Sequence, residues 1–255
     1  MQTLPLKNIL IVESFNDSAF IRLLLKDLEL FPETDTEVID LHKFPDPDNS
    51  DKILRGKTAI GGKLKSFKGD WLTREKYREV QRLGIILDFD KESLEQNLER
   101  VNQAIRGAFG EQPKLATENE FVKIVVAEGG VNIELSAACF FTKDSSGNGN
   151  LDTLLYEIRQ HPESLVPYAD CLKNWQTCVN ESDSKLKVSQ DLFSKMWVSN
   201  FLRAKDRDQP KNQRVSGDFE AKQHELIENF GSEMFDLKHA FLTSLRTFLS
   251  SFKSA

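Results

Sequence analysis

Only three cysteines, four histidines and no long uninterrupted apolar run are found in this 255-residue chain, and each scarcity removes a class of protein. Cys139, Cys171 and Cys178 form no Cys-x-x-Cys pair and no even disulfide framework, so they read as ordinary buried thiols of a reducing compartment. The histidines sit in no His-Glu-x-x-His or Cys/His pattern, which leaves the usual zinc sites without ligands. A membrane span needs about 18 or more apolar residues, and the N-terminal run is cut at Glu13, so neither a span nor a signal peptide is read. The expected compartment is the cytoplasm, with no membrane partner. A P-loop is missing too, because the glycine required five residues before Gly56-Lys57-Thr58 is Asp51.

What is present is a pair of short aliphatic runs that each end in carboxylates. Ile9-Leu10-Ile11-Val12 leads into Glu13 and Asp17, and Leu83 to Leu87 leads into Asp88-Phe89-Asp90. Runs of this kind read as buried strands of a parallel sheet, and open α/β sheets bind ligands beyond the carboxyl ends of their strands. In extended backbone, residues i and i+2 point the same way, so Asp88 and Asp90 can reach one ion while Glu13 faces them as ligand or general acid/base. Asp17 suits either the ion or the start of the next helix. Oxygen ligands of this type take Mg²⁺ or Mn²⁺. Asp144, before Ser145-Ser146-Gly147-Asn148-Gly149, could complete such a shell, while Asn150 or Asp152 could cap the helix that follows.

Val12-Glu13-Ser14-Phe15-Asn16-Asp17 resembles the glutamate motif of Toprim domains, the catalytic fold of topoisomerases, primases and OLD-family nucleases, with Ser14 where glycine is usual. Ile85-Ile86-Leu87-Asp88-Phe89-Asp90 resembles their Asp-x-Asp motif. A narrower likeness covers most of the chain, to a bacterial Toprim-like family of unknown function. It rests on Gly61-Gly62, Asp144, Leu151-Asp152 (Asp152 where that family has Glu), Cys171-Leu172-Lys173-Asn174-Trp175, Ser184-Lys185-Leu186-Lys187, and the stretch from Asp236-Leu237-Lys238 through Phe248-Leu249. The resemblance implies metal-dependent hydrolysis of DNA or RNA phosphodiesters, with Glu13, Asp88, Asp90, Asp17 and Asp144 around the metal. Lys185 would stabilise the pentavalent transition state. By analogy with the OLD family it also implies a partner ATPase or a place in phage defence. Two alternatives stand beside it. One is a non-catalytic Toprim-like module binding nucleic acid or protein; the other is a haloacid dehalogenase-type small-molecule phosphatase with Asp88 as nucleophile, a reading that leaves Glu13 unexplained.

The order of elements predicts an α/β fold: a mainly parallel Toprim-like sheet flanked by helices over 1–150, with a mostly helical region over 151–255 packed on it. Strands are expected at 7–12, 37–41, 83–88, 122–127 and 131–141, and helices at 16–30, 74–82, 91–109, 151–158, 172–179, 188–202 and 232–252. The apolar stripe of the last helix fits either core or a homodimer seam. Charge is uneven, with 11 acids and 3 bases over 13–51, then 6 bases and no acid over 52–68. That basic segment, with Lys57, Lys63 and Lys65, either contacts a nucleic-acid backbone or forms a solvated loop. The second basic stretch, Arg203 to Arg214, reads first as a mobile loop.

Overall fold

The computed structural model describes residues 6–30, 36–46, 49–128, 131–160, 162–182, 187–215 and 223–253. Strand β1 (Asn8–Val12) is buried along its whole length. It pairs in parallel with β2 (Thr36–Asp40) on one side and β5 (Arg82–Asp88) on the other. β7 (Val131–Thr142) adds to β5 in parallel, and β6 (Val122–Glu128) closes the sheet antiparallel to β7, giving the order β2-β1-β5-β7-β6. β3 (Phe44–Asp46) and β4 (Asn49–Leu54) form a separate antiparallel pair. β1 and β5 are covered on both faces, which is why they read as continuous apolar runs rather than alternating ones.

Alternate residues of β1 enter two cores. Ile9 and Ile11 pack beneath α2 (Ile60–Thr73) and α3 (Leu94–Phe109), whereas Leu10 and Val12 join α1 (Phe15–Asp27) and the later helices. Those are α4 (Leu151–Glu157), α5 (Val166–Ser182), α6 (Gln190–Asp208), α7 (Gln223–Met234) and α8 (Thr243–Ser250). The α/β class and the mainly parallel sheet are therefore as expected. Ser93 caps α3 and Gln96 returns the hydrogen bond to Ser93 N, a capping box that fixes where the helix starts.

Several local expectations change. Residues 74–82 are not a helix: a single 3-10 turn at Glu75–Tyr77 buries Tyr77, and the amides of Gln81 and Arg82 bond Lys7 O as β5 begins. The helix lies earlier, over the basic segment, where Ile60, Leu64, Phe67 and Trp71 are buried at helical spacing. The closing helix is broken at 234–236, because these residues bridge to 158–160 through Gln160 N to Met234 O and Asp236 N to Ile158 O, each 2.7 Å. The stripe is core: Met234, Leu237, Leu245, Phe248 and Phe252 are buried, and only Phe241 is exposed.

The stretch from Arg203 is folded rather than loose. α6 runs through Asp208, Arg214 donates to Gln209 O and Arg207 O, and the buried Asp206 accepts from Val215 N at 2.7 Å. All three cysteines are free, but only Cys139 is buried; Cys171 and Cys178 are exposed on α5. Among the described residues no helix is long and apolar enough to cross a membrane. On the outer side of β6, the Gln112 side chain donates to Val125 O and accepts from Val125 N, both at 2.9 Å.

Candidate active site

The parallel register sets the rim. Val12 stands opposite Ile86, so the chain leaves β1 beside the last turn of β5 and the Glu13 carboxylate reaches across. Its Oε2 accepts from Asp88 N at 3.1 Å, which joins the two acidic segments directly. Glu13 is crowded from beneath by Gly56. That glycine adopts φ +52, and a Cβ on it would lie 2.9 Å from Glu13 Oε1.

Ser14 stands in extended backbone (φ −140, ψ 173), so the turn demands no glycine there. It caps α1, accepting from Asp17 N at 3.3 Å and donating from its hydroxyl to Asp17 Oδ2. Asp17 is consequently buried, 5% exposed, pointing back at the rim. Burial pushes its carboxyl up to about 7, opposed by the Ser14 hydroxyl and reinforced by the charges of Glu13 and Asp152.

Asp88 accepts from Leu151 N at 2.9 Å through Oδ1, the first amide of α4. Burial holds its carboxyl well above the usual range, with repulsion from Asp17, Glu13 and Asp90 adding to it. Glu13 is raised by burial as well, against the Asp88 amide and the Lys57 charge. Asp152 is raised by burial and accepts from Gln223 Nε2 at 3.1 Å. The carboxylates thus sense one another in a row from Asp152 through Asp17, Glu13 and Asp88 to Asp90.

Asp90 ends the row differently. Its backbone has φ 56 and is bridged to Gly149, with Asp90 N donating to Gly149 O at 2.8 Å. Gly149 must be glycine, since a Cβ would fall 2.4 Å from both Asp144 Oδ2 and Thr153 Oγ1. The Asp90 side chain accepts from Lys57 Nζ at 2.7 Å. Lys57 is therefore turned inward, its side chain 10% exposed, instead of lying on a nucleic-acid-facing surface. Lys63 is half-buried with its ammonium over Phe44, and Lys65 is exposed on α2.

Asp144 is occupied by its own turn, Oδ1 accepting from Ser146 N at 2.9 Å and from the Ser146 hydroxyl. Its Oδ2 lies beside Gly149, the residue bridged to Asp90. Asn150 caps α4, accepting from Thr153 N at 3.1 Å. Lys185 lies outside the described residues. Sequence reading missed Asn97, Glu92 and Arg100 around Lys57, and also the stack of Phe15 between His42 and His224, with ring centroids 4.4 and 5.2 Å apart. Nothing in linear order links Lys57 to Asn97 or His42 to His224.

An all-carboxylate donor set is the chemistry a hard divalent cation takes, so Glu13, Asp88 and Asp17 suit Mg²⁺ or Mn²⁺ in kind. As they stand, no group of three or more His, Cys, Asp or Glu among the described residues is spaced to hold an ion, so uptake would draw these side chains together. No curated protein and no solved structure matches the chain significantly. Over residues 7–250 it matches the family described as a protein of unknown function, DUF3226, and it belongs to that family.

Proposed function

We propose that this member of the DUF3226 family hydrolyses phosphodiester bonds of nucleic acid with the help of Mg²⁺ or Mn²⁺. The observation that carries the reading is the gathering of Glu13, Asp17 and Asp88 at the carboxyl rim of a mainly parallel sheet, with carboxyls raised by burial and mutual repulsion. Such a centre costs stability when ionised, and a divalent cation would offset the repulsion. When bound, the metal supplies positive charge to the phosphoryl oxygens and lowers the pKa of a coordinated water.

The residues divide the work. Asp88 has Oδ1 tied to α4 and Oδ2 left for a ligand. Glu13 has Oε2 tied to Asp88 N, so Oε1 is the oxygen at which a proton is held and given to the leaving alkoxide. Burial raises its carboxyl, the direction that favours holding a proton. Lys65, and Lys63 through its exposed part, would meet the substrate backbone from α2. The phosphatase alternative fits less well, since it gives no role to Glu13, whose carboxylate is bonded to Asp88 N.

A non-catalytic binding module is favoured by one observation, the absence among the described residues of a ready three-ligand group. The test is cleavage of DNA and RNA with Mg²⁺ or Mn²⁺, alongside Mn²⁺ titration. Glu13→Gln and Asp88→Asn should each lower the rate by at least about a hundredfold, with the fold intact by circular dichroism. Cleavage by Glu13→Gln at the parent rate overturns the proton role. A parent chain that neither binds Mn²⁺ nor cleaves any substrate leaves the binding module standing instead.

A further inference from the structure

We infer that the ammonium of Lys57 is a resident cation of this site, a positioning residue that holds Asp90 where a second metal ion would otherwise sit and leaves a divalent cation to Glu13, Asp17 and Asp88. The inference deepens the proposed function, and the experiment below lets the two fail separately.

Three oxygens converge on Nζ: Asp90 Oδ2 at 2.7 Å, Asn97 Oδ1 at 3.4 Å and Glu92 Oε2 at 3.9 Å. Two carboxylates and an amide oxygen are the donor set of a hard cation. Here they surround an ammonium whose three N–H groups match them in number. Each oxygen is fixed from behind. Asn97 is fully buried and its amide nitrogen donates to Phe89 O and Ser93 O, at 3.1 and 3.3 Å, so its oxygen can face only Lys57. Arg100 grips both oxygens of Glu92. Asp90 is held at its backbone by the Gly149 bridge.

The lysine is equally constrained. Gly56 N donates to Leu41 O at 3.1 Å, and a Cβ on Gly56 would lie 2.9 Å from Glu13 Oε1, so Lys57 follows a residue seated beside the glutamate. A lysine that merely decorated the surface would not be 10% exposed at the side chain. The positive charge of Lys57 and Arg100 is concentrated at the Asp90 and Glu92 end of the row. Among the described residues, no ion pair reaches Asp17 or Asp88 at the other end. The negative charge left for a metal is therefore there, and Asp90 belongs to the lysine.

The experiment counts Mn²⁺ bound per chain, by electron paramagnetic resonance of free Mn²⁺, for the parent, Lys57→Met, Lys57→Gln, Lys57→Arg and Lys57→Met/Asp90→Asn. Removing the ammonium should add one Mn²⁺ per chain, the double variant should lose that extra ion, and Lys57→Arg should restore the parent count. Lys57→Gln keeps an N–H donor for Asp90 and serves if the methionine variant does not fold. If neither neutral variant binds more Mn²⁺ than the parent, the inference is overturned. A parent that binds none while a neutral variant binds one upholds Lys57 as the resident cation at Asp90 and removes both the divalent cation at Glu13, Asp17 and Asp88 and the metal-dependent function. A parent and variants that all bind one do the reverse, and a complete lack of binding removes both.

Discussion

Replacing Asp17 with Asn should make the protein more stable, and more so as pH rises. The carboxyl is 5% exposed and its pKa moves from 3.8 to about 7 on folding. The native chain thus holds this proton more tightly than the unfolded chain. Its contribution is fully present below the unfolded pKa and is lost as pH rises through the folded one, here from about pH 4 to about pH 7. At 1.36 kcal/mol per pKa unit the whole effect is about 4 kcal/mol, of which about 2.5 kcal/mol falls between pH 5 and pH 8. Asn keeps an oxygen for the Ser14 hydroxyl and has no proton to lose, so the variant should escape this slope. Urea unfolding in the presence of a chelator should show its advantage over the parent widening by about 2.5 kcal/mol from pH 5 to pH 8. In thermal melts the same widening corresponds to about 5–10 °C. Glu13 and Asp88 are raised in the same direction, so a residual slope of the same sign should remain in both proteins. An advantage that is equal at the two pH values would refute the reasoning, because it would mean that Asp17 titrates alike in the folded and unfolded chain.

Two further perturbations test the geometry. Gly56→Ala places a left-handed alanine against Glu13 Oε1, and should cost about 1–2 kcal/mol of stability and about a hundredfold in cleavage rate, the scale of an ångström's misplacement. Gly147→Ala is its control: φ is +78 but no atom lies within 4 Å of the new Cβ, so it should share the loss in melting temperature and spare activity. Neutral replacement of Lys63 and Lys65 together should weaken nucleic-acid binding and flatten its salt dependence by about 0.7–0.9 log units for each phosphate no longer neutralised; a steady slope would show that α2 does not face the substrate.

The parts of this molecule legible in its sequence are those set by short-range pattern. Buried parallel strands announce themselves as unbroken aliphatic runs, and Glu13 and Asp88 follow from where those runs stop. The helix over 60–73 is hidden because its charged residues and its Gly61-Gly62 pair mask the spacing of Ile60, Leu64, Phe67 and Trp71. Lys57 looks like one more member of a basic surface. Only the fold shows that Asn97 and Asp90, distant in sequence, turn it inward. The break in the last helix is equally invisible, since it depends on backbone bonds between 158–160 and 234–236. Ser14 carries the opposite lesson: a substitution that looks costly for a turn is conformationally free, because the backbone there is extended and the hydroxyl caps a helix.

The Gln112 amide on Val125 bears on how copies of the chain can meet. An incoming strand must find a run of unsatisfied N–H and C=O groups along a sheet margin. β6 offers such a margin only in pieces, because its central residue already has both groups bonded to that side chain. Growth of the sheet by adding a neighbour's strand would first have to evict the glutamine, exchanging two formed bonds for two new ones with no gain at that position. This margin is thereby protected against ribbon-like self-association at a cost of one polar side chain.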